Sequence, residues 1–195
     1  GFAPEELPSL EGSAVDMVIV TTDALAPHFQ PLADWKTKKG VPAVVRTVEW
    51  INTNYPAGRD EPERIRSFLR DAYEKWGAYL VLLGGDSDVV TPRLAWDTYY
   101  WGGRDIASDQ YFACLDGDWN ADGDHLWGEG ITLSATGDAA DLYPDLFVGR
   151  VTVADSAETA TIVAKSLLYD KAPPAGYVED HLAMGEVLFP ADWEY

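Results

Sequence analysis

Three short apolar runs, separated by stretches with helical spacing, constrain this chain more than any other feature. They are Asp16–Thr22 (DMVIVTT), Pro42–Thr47 (PAVVRT) and Tyr79–Gly85 (YLVLLGG). Continuous rather than alternating apolar residues mark strands buried on both faces, the pattern of a parallel sheet covered by helices. The intervening segments supply those helices. Leu25, Phe29 and Leu32 share one face of a helix running to Gly40, with Lys36, Lys38 and Lys39 near the negative end of its dipole. Ile65, Phe68, Leu69, Ala72 and Trp76 repeat at helical spacing behind Asp60, and Glu63 three residues on completes an N-cap signature. Asp145–Val151 (DLFVGRV) and His181–Phe189 (HLAMGEVLF) read as further strands. Between them an amphipathic helix from Asp155 to about Asp170 carries Ala160, Val163, Ala164, Leu167 and Leu168, and Pro173-Pro174 stops it. The expected class is α/β: four or five largely parallel strands flanked by helices, with ligands beyond the carboxyl ends of the strands.

From Pro92 to Pro144 helical periodicity gives way to aromatic and acidic residues, read as short strands beside the sheet. Asp109–Leu115 (DQYFACL) is expected to be a strand, and Ile131–Ser134 is short and β-prone. Between them Asp118, Asn120, Asp122, Gly123 and, after five more residues, Glu129 fill the D-x-N-x-D-G-x5-E spacing of a calcium loop. Alternating oxygen side chains let a short loop curl around a hard cation, Gly123 permits the left-handed turn, and Glu129 can close the shell with both oxygens. The Asp124 backbone carbonyl completes the expected ligand set, and Asp116 either extends it or belongs to a shifted frame. Without a cation these carboxylates repel one another. The bland alternative is an acidic, solvated turn. Strand-like flanks separate the loop from an EF-hand and make Ca2+ structural rather than signalling.

The 195 residues suffice for one domain with a sizeable core, 47% of them hydrophobic. Thirty-three acidic against fourteen basic residues give a net charge of −19, which repels phosphate backbones and argues against nucleic acid as a partner. Thirteen of the acids lie between Asp86 and Asp145, opposed only by Arg93 and Arg104, so the calcium loop sits in a wider electronegative region. No run of eighteen apolar residues suggests a membrane span. The chain opens with Gly1 rather than Met, as in a processed or excised segment; a mature secreted fragment is one explanation, and weak calcium sites stay filled in extracellular millimolar calcium.

Other candidate sites are weaker. Gly84-Gly85-Asp86 after a strand matches neither phosphate-binding Gly pattern, and its acids would repel phosphate. Cys114, the single cysteine, alternates with apolar residues and reads as a small buried hydrophobe rather than a nucleophile paired with His28, His125 or His181. The histidines lack zinc spacing.

Taken in order, the blocks MVIVTTDALAPHFQPLADWKTKKGVPAVVRTVEWI, ERIRSFLRDAYEKWG, YLVLLGGDSDVV, SDQYFACLDGDWNADGD and PDLFVGR resemble the gingipain-type cysteine peptidases from about residue 15 to 190. The resemblance implies a caspase-like sandwich of two subdomains in a secreted bacterial enzyme acting on protein or peptide substrates, with a calcium-type loop that recurs in the family. It also implies a division: residues 1–14 lead in, 15–172 form the first subdomain, and 173–195 are a linker and the opening strand of a truncated second subdomain. The family's catalytic His, in a Gly-His-Gly turn, and its nucleophilic Cys, after a later strand, have no counterpart here, so this chain alone is expected to be inactive and to need the second half as partner. An acid that orients the catalytic His corresponds to Glu186 in Met184-Gly185-Glu186; the other reading of Glu186 is a plain strand-end carboxylate. The rival function is a non-catalytic, calcium-dependent binding module.

Overall fold

Four parallel strands run through the centre of the computed structural model, which describes residues 2, 4–97, 103–130, 137–176, 182 and 183. They are β1 (Met17–Thr21), β2 (Ala43–Thr47), β3 (Leu80–Gly84) and β8 (Phe147–Val151), in the order β2-β1-β3-β8. Register is continuous, with Ile19 opposite both Val45 and Leu82, and Leu82 opposite Gly149. The chain crosses between strands through helices α1 (Ala26–Lys38), α2 (Val48–Asn54) and α3 (Glu61–Asp71), which continues into one π-helical turn, Ala72–Trp76. Helix α5 (Ser156–Lys171) follows β8. The α/β class with a largely parallel, helix-flanked sheet is thus observed.

The two-residue period of a strand sends successive side chains of β1 to different layers. Ile19 joins Leu25, just before α1, with Phe29, Leu32 and Ala33 of α1 and Val163 of α5. Val18 and Val20 join Ile51 of α2 and Ile65, Phe68, Leu69 and Trp76 of the α3 segment. Each large apolar side chain fully removed from water contributes about 1.5–3 kcal/mol, so β1, buried on both faces, is the keel of the domain. Helix starts are set as the sequence suggests. Asp60 accepts the Glu63 N–H at 3.0 Å, and Asp155 accepts those of Ala157 and Glu158 at 2.8 and 2.9 Å. At the close of β3, Gly84 packs so tightly on the Phe29 ring that an added Cβ would lie 2.6 Å from it.

The structure differs from the expectations in three places. Residues 109–115 are not a strand: Gln110–Ala113 form a single helical turn, α4, with Tyr111, Phe112 and Cys114 all buried. A short run apolar at every position suits strand and helix alike, and here its flanks decide: Arg150 takes Asp109 in two bonds of 2.8 and 2.7 Å, while Arg66 holds the Cys114 carbonyl at 2.9 Å. Helix α2 has no periodicity to announce it; it starts as β2 ends, with Thr47 Oγ1 accepting the Trp50 N–H at 3.2 Å. Finally, α5 buries only Thr159 and Val163, whereas Leu168 is 66% exposed. The strand expected at 131–134 lies outside the described residues, as does that at 181–189 apart from residues 182 and 183.

The region from Pro92 to Pro144 does hold short strands. An antiparallel hairpin pairs β4 (Arg93–Asp97) with β5 (Arg104–Ser108), and a two-residue ladder pairs β6 (Gly117–Asp118) with β7 (Ala139–Ala140).

Candidate functional site

The β6–β7 ladder closes the base of the acidic loop, with Asp118 opposite Ala139. Inside the loop, three aspartates turn the chain by capping an amide two residues on. Asp118 accepts the Asn120 N–H at 3.0 Å, Asp122 that of Asp124 at 3.2 Å, and Asp124 that of Leu126 at 2.6 Å. Gly123 sits at φ +77°, as the motif's glycine must. The Asn120 amide nitrogen donates to the Asp124 carbonyl at 2.9 Å, whereas its Oδ1 is buried without a hydrogen-bond partner, a deficit of about 1–3 kcal/mol. Glu129 is 7% exposed. Burial first, then the charges of Asp122, Asp124 and Asp138, push its carboxyl above the usual range, with His125 opposing.

Among the described residues no three His, Cys, Asp or Glu side chains are gathered as a metal centre. The loop thus has the turns of a cation site, with its carboxylates not drawn together. The donor set nevertheless fits a hard cation. Every candidate is an oxygen, the Asn120 Oδ1 lacks a partner, and the charge crowding Glu129 is what a divalent ion would relieve. Asp116 lies just before the ladder and is exposed; its carboxyl hydrogen-bonds Asp141, and that bond first, then partial desolvation and the charges of Asp141 and Asp145, raises it.

Sequence reasoning missed the side chains that hold this loop in place. Asp138 spans it from outside the motif, accepting the N–H groups of Ala121 at 2.6 Å and Gly128 at 2.8 Å. Trp127 packs between the guanidinium groups of Arg59 and Arg93, 4.5 and 3.5 Å from its ring centroid. Arg93 is itself buried, holds Asp60 through two bonds of 2.7 Å and stacks on Tyr111 at 4.6 Å. The Trp127 carbonyl accepts the Trp96 N–H at 2.8 Å, so the loop docks on the outer edge of β4. Arg66 and Arg70 pin the carbonyls of Cys114, Asp116 and Leu115 to α3. The clue in sequence was Arg66, set among the apolar residues Ile65, Phe68 and Leu69 of α3, with Arg70 one turn on.

Cys114 is fully buried. Desolvation raises its thiol, and Gln110 Nε2 donates to its sulfur at 3.0 Å. It belongs to the α2–α3 layer, whereas His28 rides on α1 across the sheet. The Gly84-Gly85 turn is internally satisfied: Thr21 Oγ1 donates to the Gly84 carbonyl at 2.5 Å, and Arg150 donates to the carbonyls of Gly85 and Val90 at 2.8 Å each. Glu186 and His181 lie outside the described residues.

A sequence model of peptidase family C25 matches residues 11–194. Solved structures also resemble the chain, three of them as follows. One, described as a protease, shares 20% identity at a TM-score of 0.56, over 84% of this chain and 30% of its own. The dimeric latent PorU of Porphyromonas gingivalis shares 22% at 0.59, over 86% of this chain and 16% of its own. The complex of the pro- and mature domains of Porphyromonas gingivalis RgpB shares 22% at 0.54, over 79% and 29%. At these identities the likeness is one of fold, and this chain spans less than a third of each of those chains. No curated protein matches significantly.

Proposed function

Because the chain belongs to peptidase family C25, a family of cysteine peptidases, we propose that it is the N-terminal portion of the catalytic domain of a secreted, calcium-stabilised cysteine endopeptidase. The observation that carries this reading is Cys114. It is the single cysteine of the sequence, and it is buried, with desolvation raising its thiol despite the opposing hydrogen bond from Gln110, the opposite of an activated nucleophile. In this reading the reactive Cys and its His lie in a continuation or a separate chain. There the thiolate attacks the peptide carbonyl, the His protonates the departing amine, and water releases the acyl group from sulfur.

In this reading residues 15–172 are the first subdomain and 173–195 lead into the second, with Glu186 as the acid that orients the catalytic His. Phe147, on the edge strand of the described sheet and 73% exposed, and Leu168 suit a surface that the second half covers. Asp118, Asn120, Asp122, Glu129 and the Asp124 carbonyl would hold Ca2+, which supplies stability rather than chemistry. Secretion accords with that ion; among the described residues no helix is long and apolar enough to cross a membrane.

The test is made on the whole encoded peptidase. Cys114→Ala should leave turnover of a peptide substrate within about twofold, whereas removal of the reactive thiol elsewhere abolishes it. A folded Cys114→Ala enzyme without activity would overturn the reading. Glu186→Gln should slow turnover by well over about threefold if Glu186 orients the His, and less than that returns it to a plain strand-end carboxylate.

A further inference from the structure

We infer that Asp138, nine residues beyond the calcium motif, is the clasp that holds the loop in its binding shape, a positioning residue outside the ligand set. The inference rests on the reading of the loop as a calcium site.

Its two carboxylate oxygens reach opposite arms of the loop. One accepts the Ala121 N–H at 2.6 Å, on the arm that carries Asp118, Asn120 and Asp122; the other accepts the Gly128 N–H at 2.8 Å, next to Glu129. The same Gly128 N–H also reaches the Trp119 carbonyl at 2.8 Å, so both arms and the clasp meet there. The Asp138 backbone closes the figure, donating its N–H to the Glu129 carbonyl at 2.9 Å. Position is set by strand register: Ala139 lies opposite Asp118 in the β6–β7 ladder, which brings Asp138 to the mouth of the loop although it is remote from the motif.

Two amide donors converge here, which is why the residue is an acid. An ionised carboxylate offers an acceptor to each, whereas Asn would turn an NH2 group toward one of them. A loop whose arms are already tied loses less conformational entropy when it closes on an ion, so the clasp acts on affinity as well as on stability. The orphan Asn120 Oδ1 lies next to Ala121, on the arm that Asp138 fixes.

The experiment measures Ca2+ affinity of the whole chain, by displacement of terbium whose luminescence is sensitised by Trp119 and Trp127, together with amide exchange at Ala121 and Gly128 in chelator. Asp138→Ala should weaken calcium by about tenfold or more, the range typical of residues that support metal ligands, and Asp138→Asn by less because one acceptor is kept. Both variants should exchange faster at the two amides. If Asp138→Ala does not fold, Asp138→Asn carries the comparison. A calcium affinity within about twofold of the unsubstituted chain would overturn the clasp, because a purely structural residue would lower the melting temperature alone. If the unsubstituted chain takes up neither terbium nor calcium, the calcium reading falls separately, and the clasp is then judged on exchange: unchanged protection of Ala121 and Gly128 ends it.

Discussion

The guanidinium of Arg93 lies 3.5 Å from the centroid of the Trp127 ring while holding Asp60 in two hydrogen bonds of 2.7 Å. One buried side chain thus fastens the acidic loop to the first turn of α3, which Asp60 also caps. Arg93→Ala removes the stack and the bidentate pair together. With Asp60 still partly solvated, the cost should be about 3 kcal/mol in urea unfolding. Arg93→Lys keeps the charge but not the planar fork, and should recover less than half of that loss. A variant Arg93→Ala as stable as the unsubstituted chain would show the stack to be ornamental.

Acid should release the same junction. Burial alone would raise the Asp60 carboxyl, but the hydrogen bonds from Arg93 and the Glu63 amide, with the charges of Arg93 and Arg59, outweigh it and hold the group below its ordinary value. A depressed folded pKa contributes stability that is full above the unfolded value of about 3.9 and is lost as pH falls through the lower folded one. Asp170 behaves alike: Lys39 first, then Trp35 and Lys36, hold it well below the usual range and tie α5 to α1. Melting temperature should therefore fall between pH 4 and pH 2 more steeply in the unsubstituted chain than in Asp60→Asn.

At the carboxyl ends of the strands Arg150 performs a comparable task. Its guanidinium binds Asp109 twice and donates to the carbonyls of Gly85 and Val90, so β8, the turn after β3 and the start of α4 share one anchor. Arg150→Met keeps the stem and strands those partners, at an expected cost of about 3–5 kcal/mol. Because α4 loses its tether, its amides should exchange faster than those of β1.

Much of this architecture is legible in the sequence because it rests on burial patterns spanning many residues. The continuous runs of β1, β2 and β3, and the face of Ile65, Phe68, Leu69 and Trp76, are signals that tertiary context reinforces. What escaped is short or remote. Helix α2 has only Val48 and Ile51 to bury, too few for a period to show. The apolar run Tyr111–Ala113 reads equally as strand or turn until Arg150 and Arg66 fix its ends. In the acidic loop the motif names candidate ligands by spacing, whereas Asp138 reaches the loop through the register of β7 and Arg93 through packing on Trp127, neither of which local spacing encodes.

The sharpest expectation from that loop concerns Glu129. With its carboxyl raised by burial and by Asp122, Asp124 and Asp138, the ionised form disfavours the metal-free fold. A group whose folded pKa lies above the unfolded value contributes stability below the unfolded value, about 4.3 for Glu, and loses it as pH rises through the folded one. In chelator at pH 7, Glu129→Gln should therefore melt higher than the unsubstituted chain, and the advantage should vanish by about pH 4. Added calcium should reverse the order. Calcium at about one hundred times its Kd should stabilise the unsubstituted chain by about 2.7 kcal/mol, while Glu129→Gln, lacking the closing carboxylate, gains little. Calorimetric melts of both proteins, with chelator and with calcium, check the two halves at once. A Glu129→Gln chain that melts lower in chelator would show that the carboxylate is satisfied without a cation, and equal gains with calcium would remove Glu129 from the ligand set.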